Sequence, residues 1–286
     1  MTVLEVIQRS AKFLAKKDVE SPRLQVELLL AHALGLPRLK LYLNFERTLS
    51  GAELESARTL VKRRGNREPL QHILGSTSFC GLEIKVNRHV LVPRQETELL
   101  AERAWTFLST RNAQPSTALD FGTGSGCIAV ALAVKCPQAQ VHALDISADA
   151  LGVARENSAF NLASERIQFH HGDGFGALPQ DLFFDLLVAN PPYIPSAEID
   201  TLSPEVRDHD PRQALDGGAD GLEFYRRLAV EAAKRLRPAG RMMLEFGDGQ
   251  AERIRETLVQ HKWIVESIEA DYSDRPRILT ALAGQA

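Results

Sequence analysis

Residues 118–133 read ALDFGTGSGCIAVALA, a short apolar run that breaks at Gly122, Gly124 and Gly126 and continues as an alanine-rich, helix-forming stretch. This predicts a strand, a tight glycine turn and a helix. Glycine permits the turn and lets a ligand approach the backbone, whose free N–H groups in the first helical turn face it. Such a turn constrains the fold more than the function, because nucleotide-binding folds of many activities carry one. The spacing is GxGxG and not the GxGxxG dinucleotide fingerprint, and no Gly-Lys-Ser/Thr follows, which excludes a P-loop.

Three further apolar runs end on polar groups. QVHALDIS closes on Asp145, whose carboxylate can accept both hydroxyls of a ribose. IQFHHGD ends at Asp173, whose side chain or following backbone can meet an adenine amino group. FFDLLVA runs into Asn190, Pro191, Pro192 and Tyr193. Together these predict one parallel sheet with all the polar groups on its carboxyl edge, where open α/β folds bind ligands. The alternative for each acid is a helix N-cap: Asp145 stands before SADALGVAREN, and Asp173 is open to the same reading.

The NPPY segment suits chemistry on a planar amino group. An amide nitrogen shares its lone pair with the neighbouring π system and is a poor nucleophile. If the Asn190 side-chain oxygen and the Pro191 carbonyl each accept one N–H, the lone pair can turn towards an incoming methyl group without prior loss of a proton. The prolines fix φ and so preorganise the acceptors, while Tyr193 offers a face on which a flat substrate can stack. A proline-rich turn that merely ends a buried strand is the competing reading.

With these residues in place, the chain resembles the release factor glutamine methyltransferase family, which transfers methyl from S-adenosylmethionine to the glutamine of the GGQ motif in bacterial or organellar class I release factors. Besides FGTGSG and NPPYI, the segments REPLQHILGSTSF, VPRQETELL, EVRDHDPRQALDGGADGLEFYR, LEFGDGQ and DYSDRPRIL fall in similar order and spacing over nearly the whole length. The resemblance implies that the turn Gly122, Thr123, Gly124, Ser125 and Gly126 and the acid Asp145 hold S-adenosylmethionine, and that Asp173 and Gly174 line its adenine. It implies that Asn190, Pro191, Pro192 and Tyr193 grip the glutamine, with Asn190, Pro191 and Tyr193 catalytic and Asn190 also bordering the donor. The product would be S-adenosylhomocysteine, and no metal is called for. Where family members often carry a larger side chain this chain has Gly174, which shifts adenine packing to Phe175 or to backbone contacts. Gln95 and Glu96 stand where several relatives read proline and aspartate. NPPY is shared with adenine N6 and guanine N2 methyltransferases acting on nucleic acid, so it specifies chemistry better than substrate. That enzyme class and a noncatalytic binding module are the rival readings.

The 286 residues suffice for one large α/β domain and a small one. Residues 1–74 alternate leucine-rich helical patterns with turns, Ser21 and Pro22 reading as a cap and first-turn pair and Gly35 and Gly51 as separators, and are expected to form a helical bundle that recognises the release factor, a merely stabilising cap being the alternative. Residues 75–93, with TSFCGLEIKV and RHVLVP as short strands, read as a β-ribbon linker. Residues 94–286 are expected to form a seven-stranded Rossmann-like methyltransferase sheet of class I, completed by WIVESIEADYSDRPRILTALA as a closing hairpin. In PRQETE, Arg94, Glu96 and Glu98 lie where the linker meets the catalytic edge, and the resemblance suggests that the segment borders the donor and substrate pocket; alternatively Thr97 and Glu98 start a helix and Arg94 makes a structural ion pair. Glu245 has no role that the sequence assigns.

The net charge of −3 gives no field that would attract nucleic acid, and no stable nucleic acid binding is expected. The charge is uneven: residues 1–75 hold 13 Lys and Arg against 8 Asp and Glu, and the remainder 21 against 29. The basic end could dock an acidic partner; alternatively Lys62, Arg63 and Arg64 are a solvated helix face. Three scattered cysteines, Cys80, Cys127 and Cys136, form neither a disulfide framework nor a zinc site. With no membrane-length apolar run, a cytoplasmic monomer is expected.

Overall fold

The computed structural model describes residues 1–111 and 115–284. They divide into two units, one of residues 1–76 with 203–209, the other of 77–202 with 210–284.

The first unit is helical: α1 (Val3–Ala15), α2 (Pro22–Leu34), α3 (Arg38–Tyr42), α4 (Gly51–Gly65) and α5 (Leu70–Leu74). Capping boxes begin α1 and α4, where Thr2 pairs with Glu5 and Ser50 with Glu53. Gly51 is therefore the first residue of α4 and no separator. Gly35 does end α2, in the left-handed conformation with φ +61°. Ser21 is not the side-chain cap its sequence context suggests: it lies at φ +46°, makes no capping bond, and Pro22 alone sets the first turn. The leucine-rich segment after Gly35 yields only the five residues of α3 because the Asn44 amide turns back on the Lys40 carbonyl at 2.7 Å. Val6, Ile7, Leu14, Leu29, Leu30 and Leu41 form the core. Residues 203–209 carry Glu205, which accepts bonds of 2.7 Å from Arg64 Nη2 and from Arg67 Nε and Nη2.

The second unit opens with a two-stranded ribbon, β1 (Ser76–Phe79) and β2 (Leu82–Lys85), beginning at the end of the helical segment. Cys80 and Gly81 form its tight turn with φ +52° and +78°, the pair of left-handed residues that hairpin twist requires. RHVLVP, expected as a further strand, is not one. Val90 and Val92 are buried, but Pro93 lacks an N–H and the segment joins no ladder. Asn157 anchors the ribbon, accepting from Lys85 N at 2.7 Å and donating to Lys85 O at 2.9 Å.

There follow α6 (Gln95–Thr110), β3 (Thr117–Phe121), α7 (Cys127–Lys135), β4 (Gln140–Asp145), α8 (Ala148–Phe160), β5 (Ile167–His171), β6 (Phe184–Ala189), α9 (Pro204–Arg207, in the helical unit), α10 (Glu223–Glu231), β7 (Leu236–Glu245), α11 (Ala251–Gln260), β8 (Trp263–Ala270) and β9 (Pro276–Ala283). Strands β3 to β9 make a seven-stranded sheet in the order β5-β4-β3-β6-β7-β9-β8. Neighbours from β5 to β7 pair parallel, and β9 is antiparallel to both β7 and β8. The central strands β3 and β6 are buried at every residue, as a sheet covered on both faces demands. The order reverses between β3 and β6, so the crevice of this α/β fold opens above their carboxyl ends. Among the described residues no helix is long and apolar enough to cross a membrane.

Candidate active site

The glycine turn after β3 is tied to the neighbouring strand by Gly122 N and Thr123 N, which both donate to Leu144 O at 2.9 Å. Gly122, Gly124 and Gly126 all have positive φ, +75°, +54° and +77°. Their surroundings differ. A Cβ on Gly122 or Gly124 would meet nothing within 4 Å, whereas one on Gly126 would lie 2.8 Å from Ala154 Cβ on α8. The first two glycines thus leave open space beside exposed backbone, and the third allows close helix packing. Below the turn, the buried Asp120 accepts from Thr123 Oγ1 at 2.6 Å and Ala129 N at 3.1 Å. Burial outweighs those bonds and pushes its carboxyl up to about 7. Ser125 is buried, and its carbonyl accepts from Asn157 at 2.8 Å.

Asp145 ends β4 and is not the cap of α8, because Ser147 performs that task by accepting from Ala150 N. Instead, Asp145 Oδ2 accepts from Gly124 N and Oδ1 from Ser147 N, both at 2.8 Å. Each oxygen keeps a lone pair for a further donor, so the carboxylate can take two hydroxyls. Burial raises its pKa against the opposing effect of those backbone bonds. Asp173 makes no capping bond either; its side chain is exposed and ion-paired with Arg227. Arg227 Nη2 also donates to Asp173 O at 3.2 Å. The same guanidinium covers Gly174, where a Cβ would come within 2.0 Å of Nη2. A larger side chain cannot sit there while Arg227 keeps this position. Phe175, the expected substitute for adenine packing, is buried against Phe121 with ring centroids 5.1 Å apart and does not border the cleft. Ile146 and Phe224 do border it.

Asn190 follows β6 directly. Ala189 stands opposite Leu244 in the β6–β7 register, so the next residues, Asn190 and Glu245, are neighbours. Asn190 Nδ2 donates to Thr97 Oγ1, in the first turn of α6, at 3.1 Å. Glu245 is 2% exposed, its Oε2 has no hydrogen-bond partner, and burial pushes its carboxyl up to about 7, opposed by the nearby Thr97, Arg277 and Asn190 side chains. The NPPY backbone is clamped by Gln250, whose Nε2 donates to Tyr193 O at 2.8 Å while its Oε1 accepts from Gly247 N at 2.9 Å. Glycines enclose the loop: a Cβ on Gly221 would lie 2.3 Å from Tyr193 O, and one on Gly217 would lie 2.8 Å from Pro192 O. The DGGADG and EFGDGQ segments therefore hold the Asn-Pro-Pro-Tyr turn in place.

One cleft, with about 1100 Å³ of space partly open to solvent, brings together Gly122, Thr123, Gly124, Ser125, Asp145, Asp173, Gly174, Asn190 and Pro192. Gly126, Pro191 and Tyr193 are not on its wall. Pro191 is buried, and Tyr193 packs on the sheet core with its ring beside Gly247. Arg94 borders the cleft and pairs with Asp210 at 3.3 Å, while Glu98 accepts from Cys80 N at 2.9 Å and serves the ribbon turn. Both alternatives for PRQETE thus hold at once: Arg94 borders the cleft and is ion-paired, Thr97 borders it from the first turn of α6, and Glu96 and Glu98 are not on its wall. Thr97, Glu245, Gln250 and Arg227 were left without a site role by the sequence. Their only advance signal was placement: Glu245 and Gln250 in one strand-end motif, LEFGDGQ, and Thr97 within VPRQETELL, while Arg227 lay outside every such segment.

Comparison with known proteins places the chain in a family. The model described as PrmC N-terminal domain matches residues 5–75, and that described as methyltransferase small domain matches residues 97–203. The release factor glutamine methyltransferase of Geobacter sulfurreducens is 47% identical over 88% of this chain and 87% of its own length. That of Chlorobaculum tepidum is 44% identical over 99% of this chain and 97% of its own. A crystal structure of a methyltransferase from Pyrococcus furiosus, 21% identical, superimposes with a TM-score of 0.53 over 81% of this chain and 99% of that one, which establishes the shared fold. On these grounds the chain belongs to the release factor glutamine methyltransferase family.

Proposed function

We propose that this protein transfers methyl from S-adenosylmethionine to the side-chain amide nitrogen of the glutamine in the GGQ motif of class I release factors. The observation that carries the reading is the shared cleft: Asn190 borders the same space as the open Gly122–Gly124 backbone and the Asp145 carboxylate. The relatives' names support the substrate.

The residues present fit the donor. The space beside Gly122 and Gly124 admits it to the backbone, Asp145 has lone pairs for both ribose hydroxyls, and Ile146 and Phe224 offer apolar walls for adenine. Asp173, held by Arg227, serves this role through its backbone and not its carboxylate. When bound, the sulfonium supplies an electrophilic methyl carbon. The chain's own task is alignment. The Asn190 oxygen and the Pro191 carbonyl accept the two N–H groups of the glutamine amide, so its nitrogen lone pair is directed at the methyl; the N–C bond forms as the C–S bond breaks, and the surplus proton leaves to water. Holding both reactants in line accounts for about 7 to 11 kcal/mol of the barrier, so no strong base is required. Tyr193, whose ring packs on the sheet core beside Gly247, braces the loop, and Pro191 and Pro192 hold the acceptors rigid. The helical unit, with its excess of Lys and Arg, is the recognition domain in this reading, residues 75–93 link it to the methyltransferase domain of residues 94–286, and the protein acts as a cytoplasmic monomer.

Incubation with methyl-labelled S-adenosylmethionine and, in parallel, a class I release factor, its GGQ→GGA variant, DNA and RNA tests the proposal. Label on the intact release factor alone is expected; label on nucleic acid instead would replace the substrate while leaving the donor site standing.

A further inference from the structure

Glu245 is a liability that the fold does not require. It is 2% exposed and its Oε2 lacks a partner, a burial that costs about 1–3 kcal/mol relative to a satisfied or apolar side chain. The register places it beside Asn190, and Thr97, also 2% exposed, completes a three-residue cluster under the cleft. We propose that Glu245, acting with Thr97, is a positioning residue that fixes which edge of the Asn190 amide faces the substrate. This rests on the functional reading above and adds to it a determinant of the amide grip.

The argument is one of donors and acceptors. An asparagine amide is nearly symmetric in shape, so packing does not decide which way round it lies; hydrogen-bond partners do. Nδ2 of Asn190 gives one hydrogen to Thr97 Oγ1 at 3.1 Å, and both side chains lie close enough to the Glu245 carboxyl to favour its ionised form. One hydrogen of the amide's donor edge is thereby used inside the protein, and Oδ1 is left for a substrate N–H. Reversed, Oδ1 would face the Glu245 carboxylate, acceptor against acceptor, and could be satisfied only by the Thr97 hydroxyl turning its hydrogen away from that carboxylate. The lock needs Glu245 ionised, because a protonated carboxyl offers an O–H that would welcome the reversed amide. The charged and titratable groups that face Glu245 are Glu96, one residue before Thr97, Arg277 of β9, and the phenols Tyr193 and Tyr225, the last donating to the Glu245 carbonyl at 2.8 Å. Burial outweighs Arg277, Thr97 and Asn190 and brings the group up to about 7, so the lock loosens as pH falls through neutrality.

The test is release factor methylation at saturating donor by the full chain and by Glu245→Gln, with S-adenosylhomocysteine affinity measured by calorimetry. Glutamine has the same shape but can present its carbonyl to the donor edge of Asn190 or its NH₂ to the acceptor edge. The wild-type kcat should fall below about pH 7, while Glu245→Gln should lose about tenfold at pH 8, show no such fall, and bind S-adenosylhomocysteine within about twofold of wild type. A Glu245→Gln enzyme with wild-type kcat and the wild-type pH profile overturns the inference alone; a wild-type enzyme that leaves the release factor unlabelled overturns the functional reading and the inference with it. If Glu245→Gln fails to bind S-adenosylhomocysteine, Thr97→Val decides, since it cuts the link and keeps the carboxyl. It too should lose kcat by about tenfold with affinity kept, and a kcat within about twofold of wild type refutes the role.

Discussion

Replacing Gly126 and Gly122 separately by alanine should separate a packing glycine from a ligand-facing one. Both have positive φ, +77° and +75°, so each alanine incurs about 1–2 kcal/mol of left-handed strain, offset by about 0.4–1 kcal/mol from a less flexible unfolded chain. The difference lies in the neighbours. At Gly126 the new methyl would stand 2.8 Å from Ala154 Cβ and 3.1 Å from its Cα, backbone that cannot yield without moving α8, which adds about 1–3 kcal/mol of overpacking. At Gly122 it would meet nothing within 4 Å. Gly126→Ala should therefore destabilise by about 2–4 kcal/mol and Gly122→Ala by about 1 kcal/mol or less. Both tryptophans, Trp105 and Trp263, lie in the sheet unit, so their fluorescence during urea unfolding reports that unit alone. Calorimetry with S-adenosylhomocysteine should show the reverse order, with affinity lost in Gly122→Ala, whose methyl occupies donor space. Equal stability losses for the two variants would refute the packing argument, and an unchanged affinity in Gly122→Ala would remove that glycine from the donor site.

Asn190→Ala should leave donor binding nearly intact and cut methylation severely, by about a hundredfold or more as for loss of a preorganised polar contact; near-normal turnover would disprove the amide grip. Asp145→Ala should instead weaken donor affinity, and an unchanged calorimetric constant would refute the ribose assignment. In the helical unit, burial raises the Glu205 carboxyl but the bonds from Arg67 and Arg64 prevail and hold it down at about 2. The stability it contributes is fully present above its ordinary value of 4.5 and is lost as pH falls towards about 2. Glu205→Gln should thus cost about 1–3 kcal/mol near neutral pH, where it leaves the buried Arg64 bonded to Gln25 and the Glu68 carbonyl but without its carboxylate partner, and much less below about pH 3, as read by circular dichroism.

The sheet was legible because its strands are short apolar runs that end on a glycine or a polar residue, a pattern with one physical reading when both faces are covered. Asp145 and Asn190 were legible for the same reason: a strand end in a parallel sheet has one place to go. RHVLVP misled because valines between polar residues look like a strand, yet a strand needs a partner, and partners are invisible in a local window. Ser21 had the composition of a cap without its geometry. The roles of Glu245, Asn157 and Glu205 depend on groups far away in the chain, Thr97, Lys85 and Arg64, so only the fold brings their chemistry together. The Arg227 guanidinium over Gly174 is the clearest case, since the glycine looked like a loss of adenine packing and is the room that an arginine occupies.

The central claim is that the methyl group ends on a glutamine side-chain nitrogen. Fragment mass spectrometry of a class I release factor after incubation with this protein and S-adenosylmethionine reads that directly. The mass of one methyl group should appear on the glutamine of GGQ and nowhere else, and should be absent with Asn190→Ala. A methyl group on any other residue, or an unmodified release factor beside methylated nucleic acid, would contradict the account.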